Sequence, residues 1–450
     1  MNTMTKPSTL TKKTFALVGT GGRSPIFLDP IAGLYRDSCQ LVGLCDTSPT
    51  RRRFHQQRLS QEYQIGPVPD YGDFDLMLRE TRPEVVMVCT PDYLHHEFIV
   101  KSLESGADVI SEKPLTIDAG KCRQIFEAVQ KSGRKVRTIF NMRWSPGVGK
   151  VRELIAGGAI GRVRHINFEY MLNTSHGADY FRRWHSRKEF SGGLLLHKAT
   201  HHFDLLNWWM NAIPSTVSAL GDLVFYGKKN ALARGDAPLT KYPRYTGVAE
   251  AENDPFRLDL GADPTMRALY QNAEADSGYI RDQNVFREDI DIEDSMSLLI
   301  KYRTGEMVSY SLNAYCPEEG FRAAISGDKG RIVYTEKHGS HIITGASKII
   351  HGDEEATVHL QLQKHFSEPC LVDVPKAEGG HGGGDPLIQE QMFSPHPPAD
   401  PLKRSAGHEQ GAASLLIGAA GNLSMITGQP VSLDDLLPLP PQATQLTDLV

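Results

Sequence analysis

Two short apolar runs, Glu84-Val85-Val86-Met87-Val88-Cys89 and Ala107-Asp108-Val109-Ile110-Ser111, flank residues 96–105, where apolar side chains recur at helical spacing up to Gly106. Such a strand–helix–strand unit constrains the fold more than any other feature here. Strands joined through a helix lie parallel, and a parallel sheet is covered on both faces. The same alternation begins at residue 14, with strands expected at 14–18 and 40–45, a helix at 118–131 and a fifth strand at 135–140. Residues 12–145 therefore read as a doubly wound α/β domain. Beyond them the texture changes. A helix at 148–156 and a strand at 162–172 precede strands at 293–302, 307–314, 321–326 and 331–334, with turn signals at Thr304-Gly305 and Gly327-Asp328-Lys329-Gly330. Strands that follow one another without helices predict an α+β domain over 146–450 with a large open, mostly antiparallel sheet. Residues 227–290 carry Gly, Pro, Asp and Asn with weak periodicity and read as a long insertion, a lid or an oligomer contact. Residues 379–404 read as a second irregular stretch, and the chain closes with a helix over 412–427.

Composition narrows the function classes. The chain has 450 residues, 40% hydrophobic and 23% charged, with a net charge of −5 and no basic run. Nucleic acid is not an expected partner, since that needs clustered Lys and Arg. The six cysteines form no C-x-x-C pair, which fits a reducing compartment. Residues 1–13 are polar, and no run approaches the ~18 apolar residues of a membrane span, so the expectation is a cytoplasmic protein with no membrane partner.

Ligands of an open α/β sheet bind beyond the carboxyl ends of its strands. Thr90-Pro91 and Glu112-Lys113-Pro114 both follow strands at that edge. A lysine there can hold an alcohol and relay its proton. Val18-Gly19-Thr20-Gly21-Gly22-Arg23-Ser24 directly follows the first strand, an imperfect G-x-G-x-x-G with Ser24 in the third place. Glycines in such a turn let backbone N–H groups approach a pyrophosphate at a helix N-terminus. Together these features describe an N-terminal Rossmann dinucleotide-binding domain. Asp46, at the end of the second strand, suits the adenosine ribose hydroxyls and predicts NAD rather than NADP. Arg51, Arg52 and Arg53 stand close enough to offset its repulsion of a 2′-phosphate.

These residues resemble the Gfo/Idh/MocA family of glucose–fructose oxidoreductase and inositol dehydrogenase. Val88-Cys89-Thr90-Pro91-Asp92-Tyr93-Leu94-His95-His96-Glu97 is similar to that family's CTP-x-x-x-H strand end, and residues 102–114 to its stretch ending in EKP. Asn141-Met142-Arg143-Trp144-Ser145-Pro146, Gly192-Gly193 and Thr427-Gly428-Gln429-Pro430-Val431 also match. The resemblance implies a nicotinamide nucleotide contacted by Gly19, Gly21, Gly22, Arg23, Ser24, Asp46, Thr90, Pro91, His95, Glu112, Lys113 and Asn141. It also implies a sugar, glycoside or cyclitol substrate, and a homodimer or homotetramer formed through the C-terminal sheet.

The chain departs from the family where chemistry is expected. The family's G-G-x-x-x-D-x-G-x-H-x-x-D reads here Gly192-Gly193-Leu194-Leu195-Leu196-His197-Lys198-Ala199-Thr200-His201-His202-Phe203-Asp204. His201 and Asp204 fall on the family's His and final Asp, whereas His197 replaces its first Asp. At helical spacing, 197 and 201 share a face, so two imidazoles are expected to meet. Lys113, His201 and His197 are the expected catalytic set. One reading is alcohol oxidation with His201 as base and Lys113 steadying the alkoxide. The alternative is an NAD-dependent glycoside hydrolase or lyase that oxidises a ring hydroxyl transiently and recycles its cofactor. A metal on His197 and His201 is disfavoured by the adjacent Lys198, so none is expected. Arg143, His176, Tyr180, Trp184, His185, Lys198, His202 and Asp204 are the expected substrate contacts, and His381 and Asp385 candidates to close over it.

Overall fold

The computed structural model describes residues 12–339, 342–345, 348–351, 357–375 and 380–449. The first domain alternates β1 (Lys13–Val18), α1 (Pro25–Ala32), β2 (Cys39–Cys45), α2 (Pro49–Tyr63), β3 (Asp70–Tyr71), α3 (Phe74–Thr81), β4 (Val85–Val88), α4 (His95–Glu104), β5 (Asp108–Ser111), α5 (Ala119–Ser132) and β6 (Val136–Thr138). β4 is buried along its whole length, as a central parallel strand covered by helices on both faces must be. Side-chain caps set where helices begin: Ser48, Asp73 and Asp118 accept N–H bonds in the first turns of α2, α3 and α5.

After α6 (Pro146–Ala156), the second domain runs through β7 (Val163–Asn173), α7 (Thr174–Arg182), α8 (Lys188–Ser191), α9 (Leu194–His197), α10 (Thr200–Met210) and β8 (Pro214–Asp222). The insertion holds α11 (Lys228–Arg234), α12 (Pro264–Met266) and α13 (Glu274–Ser277). There follow β9 (Ser295–Tyr302), β10 (Met307–Cys316), β11 (Glu319–Gly327), β12 (Gly330–Gly339), β13 (Ile342–Gly345), β14 (Lys348–His351), β15 (Thr357–Lys364) and β16 (Cys370–Leu371). The chain closes with α14 (Gly380–Phe393), β17 (Ala406–Gly407), α15 (His408–Thr427) and β18 (Val431–Ser432).

The first sheet has the order β17-β6-β5-β4-β1-β2-β3, parallel except for β17, and the second the order β16-β15-β12-β11-β7-β10-β9-β8-β18. Within the second sheet β7 and β10 pair in parallel and the other neighbours antiparallel, so the α/β plus α+β expectation holds. The inner face of this sheet packs on α10 and α15, with Trp208 and Trp209 in the core.

Two local expectations fail. The glycine-rich stretch is largely the helix α14, which carries Pro386 within it and packs on residues 141–144 and α1. Three consecutive glycines argue against a helix on propensity, and tertiary packing overrides them. β8 also goes unforeseen, because its Pro214 and polar residues mask the alternation.

Candidate active site

The turn after β1 is built for close backbone approach. Gly19 has φ +90°, and a Cβ there would run into the Cys89 carbonyl. A Cβ on Gly21 would meet nothing within 4 Å, so the turn is open there, whereas one on Gly22 would meet Tyr270 Oη at 2.8 Å. Ser24 Oγ donates to the Gly21 carbonyl at 2.8 Å and lies 3.1 Å from His55 Nε2, so it braces the turn from below. The Asp46 carboxylate accepts the Thr20 N–H at 2.8 Å and Oγ1–H at 3.0 Å, and the Ser48 N–H at 2.8 Å. This geometry fits a dinucleotide: an open glycine turn at a helix N-terminus with an acid beyond the neighbouring strand.

Glu112, Lys113 and the Thr90 segment meet at the same edge. Arg23 Nε donates to Glu112 Oε1 at 2.8 Å, and Asn141 Nδ2 to Asp385 Oδ1 at 2.8 Å. Asp385 also stands 3.8 Å from Arg23, so α14 supplies an acid beside the glycine turn. The side chain of His381 lies outside the described residues. His95, expected to contact the cofactor, is corrected: it is buried, with Nε2 2.9 Å from the Thr90 carbonyl and Nδ1 2.7 Å from that of Pro114. Its ring therefore ties the two strand ends together.

At this edge Lys113, His197 and Asp92 form a three-residue chain of polar contacts. Lys113 Nζ donates to the His197 carbonyl at 2.8 Å and stands 3.4 Å from His197 Nε2. On the far side of the ring, Nδ1 lies 2.6 Å from Asp92 Oδ2. With Lys113 charged, Nε2 must be the acceptor, which puts the ring proton on Nδ1 facing Asp92. Burial sets the proton affinities here. It pushes Lys113 below its ordinary value, and the Asp92 carboxylate partly opposes this. It holds His197 neutral, reinforced by Lys113 and Arg183, and pushes Asp92 up against the pull of those two cations.

The expected meeting of His197 with His201 is corrected. The helix breaks at residues 198–199 between α9 and α10, and both ring nitrogens of His197 are committed to Asp92 and Lys113. His201 is buried on the first turn of α10, edge-on to Phe140 at 6.1 Å between ring centres. Asp92 thus stands where sequence reasoning found no carboxylate. Its sequence signal is its place directly after Thr90-Pro91, inside the segment similar to the family's strand end.

Several expected substrate residues do gather around His197. The His185 ring centre lies 4.1 Å away, Tyr180 5.5 Å and Trp184 5.8 Å. His176 Nε2 is 3.0 Å from Tyr180 Oη, and its Nδ1 2.8 Å from Glu319, a carboxylate the sequence reading missed. Lys198 lies over the Tyr170 ring at 4.8 Å; burial, partly offset by Glu319, pushes its ammonium down to about 8. Three assignments are corrected. Arg143 and Asp204 form a bidentate ion pair at 2.6 and 2.5 Å, both buried, with Gln410 on the remaining guanidinium edge. His202 is fully buried, stacked on Tyr170, with Nδ1 2.8 Å from Tyr310 Oη. These three belong to the core beneath the site.

The insertion, expected as a lid or an oligomer contact, bonds to the helix that carries Tyr180 and to the glycine turn. Arg281 and Arg183 both donate to Asp179, at 2.7 and 3.0 Å, on the helix that carries Tyr180. Tyr270 Oη accepts the Gly22 N–H at 3.0 Å, and Arg51 and Arg281 lie over the Tyr270 ring. Among the described residues no group of three or more His, Cys, Asp or Glu is placed to hold a metal, and no helix is long and apolar enough to cross a membrane.

Two family models match this chain: an oxidoreductase family NAD-binding Rossmann fold over residues 13–140, and the C-terminal alpha/beta domain of the same family over 152–433. The chain is 34% identical over 441 residues to the protein YteT of Bacillus subtilis (strain 168), covering 94% of this chain and 98% of that one. It is 25% identical over 206 residues to inositol 2-dehydrogenase of Rhizobium meliloti (strain 1021), covering 46% of this chain and 57% of that protein. The crystal structure of the WlbA dehydrogenase of Bordetella pertussis with NADH and UDP-GlcNAcA shares the fold, with TM-score 0.60, 18% identity and coverage of 96% of this chain and all of that one.

Proposed function

The chain belongs to the Gfo/Idh/MocA oxidoreductase family, and from that premise we propose that it oxidises a hydroxyl of a sugar, glycoside or cyclitol with NAD as hydride acceptor. The observation that carries this reading is Lys113, held between the carbonyl and ring of His197 at the strand edge that also presents the glycine turn. Bound NAD supplies the electrophile that takes the hydride. The chain's own residues handle the proton. A substrate hydroxyl hydrogen-bonded to Lys113 passes its proton to the amine that burial makes accessible, and His197, backed by Asp92, stabilises the ammonium formed. His201 is the second group assigned to the reacting hydroxyl. The polar and aromatic set His176, Tyr180, Trp184, His185 and Lys198 suits a polyol ring. Inositol 2-dehydrogenase among the relatives and NADH in the WlbA structure support the substrate and cofactor classes.

Asp46 supports NAD over NADP. A second copy of the chain is the proposed partner, seated on the sheet face where Leu220 and Leu299 are 76% and 64% exposed. The test of function is a panel of sugars, glycosides and cyclitols, followed by NADH absorbance and by release of aglycone. NADH formation that disappears in Lys113→Ala and His201→Ala, with NAD still bound, supports the dehydrogenase reading. Aglycone release without net NADH would replace it by the redox-neutral hydrolase or lyase.

A further inference from the structure

Residues 264–281 of the insertion touch the cofactor domain at three points. Tyr270 takes the Gly22 N–H, Arg51 Nε donates to the Leu269 carbonyl at 2.9 Å, and Asp276 Oδ2 accepts from Ser48 Oγ at 2.5 Å and from the Thr50 N–H at 3.0 Å. Ser48 caps α2 and donates its own N–H to Asp46 Oδ1 at 2.8 Å. Two carboxylates, Asp46 from β2 and Asp276 from the insertion, therefore grip one serine from two sides.

In a Rossmann unit the acid ending the second strand faces the adenosine ribose, and a 2′-phosphate, when present, is received near that acid by a basic side chain. Here two donors of the turn after Asp46, the Ser48 hydroxyl and the Thr50 N–H, are spent on Asp276. The nearby cations are held by partners at the same turn, Arg52 also donating to the Asp46 carbonyl. Arg51 is drawn to Leu269 and over Tyr270 and Tyr279, Arg52 pairs with Asp70 at 3.1 Å, and Arg53 reaches Thr50 Oγ1 at 3.3 Å.

We propose that Asp276 is a cofactor-specificity residue: from the insertion it fills the turn where a 2′-phosphate would be received and, with Asp46, repels that phosphate. This rests on the reading of the protein as an NAD enzyme. Specificity here is achieved by placing a like charge against the wrong ligand. Asp276 is exposed, so its replacement leaves the core intact.

The test is calorimetric titration of the full chain and of Asp276→Asn and Asp276→Ala with NAD and with NADP. Expected is tighter NAD binding by the wild type and, in both variants, NADP affinity higher by at least about tenfold with NAD affinity within about threefold, since the like-charge repulsion is removed and the Ser48 and Thr50 donors are freed for the 2′-phosphate. Unchanged NADP affinity in both variants, or equal changes for the two nucleotides, overturns the inference while leaving the NAD reading standing. A wild type that prefers NADP, or binds neither nucleotide, overturns the NAD reading and the inference with it.

Discussion

Asp92→Asn isolates the feature that the structure adds to the reaction centre. The carboxylate is 3% exposed and 2.6 Å from His197 Nδ1, so the contact is short and shielded from water. A hydrogen bond to a charged group is worth about 1.5–3 kcal/mol. Losing it wholly in the transition state would slow the reaction about 10- to 150-fold at ~1.4 kcal/mol per decade. Asparagine can also present its amide N–H₂ to Nδ1, which moves the ring proton to Nε2 and sets it against the Lys113 ammonium. That outcome lies at the upper end, in line with the ~10²–10⁴ attributed to positioned acid–base groups. The expected result is a kcat lowered about 10²-fold, with KM and NAD affinity changed little, because Asp92 touches neither ligand in this arrangement. A second readout follows from charge. Asp92 raises the proton affinity of Lys113, so its loss lets Lys113 shed its proton at lower pH, and the corresponding limb of the kcat/KM profile moves down. The assay is steady-state NADH formation on the best substrate of the panel across pH. A kcat near wild type with an unmoved profile would refute the idea that the Asp92–His197–Lys113 chain moves the proton.

Restoring the family's carboxylate with His197→Asp is expected to cost activity, about 10²-fold in kcat on the scale of a lost acid–base group, because the new acid would face Asp92 in a buried site where two carboxylates cannot both ionise. The double variant with Asp92→Asn should recover part of that loss, and near-normal turnover in the single variant would contradict the pairing. Asp204→Asn leaves the buried Arg143 guanidinium without its counter-charge and should destabilise the fold by about 3–5 kcal/mol, read by denaturant unfolding of the full chain. His338 should make stability fall at alkaline pH. Burial opposes its charge, but bonds to Glu319 and Glu336 raise it to about 9 from the ordinary 6.5, so its contribution is complete below pH 6.5 and vanishes as pH rises through about 9. With the ring 31% exposed, that contribution is on the order of 1–2 kcal/mol, and His338→Gln should flatten the urea midpoint between pH 7 and 10.

Local pattern alone reached the parallel sheet, the glycine turn, Asp46 and Lys113, because each depends on neighbours within a few residues. A buried strand needs its own apolar run, and a strand-end lysine needs only that strand. The resemblance to a known family added His201 and the expectation of a catalytic carboxylate at the position His197 holds. Residue spacing could not supply the partner. The carboxylate comes from Asp92, 105 residues away in the chain, and the helix meant to align His197 with His201 breaks between them. Arg143, Asp204 and His202 are polar residues that read as site residues in the sequence, whereas ion pairing and ring stacking satisfy them in the core. The insertion shows the same limit most fully. Its weak periodicity concealed short helices whose Tyr270 and Asp276 meet residues more than 220 positions earlier, and only tertiary packing brings those charges and N–H groups within bonding distance.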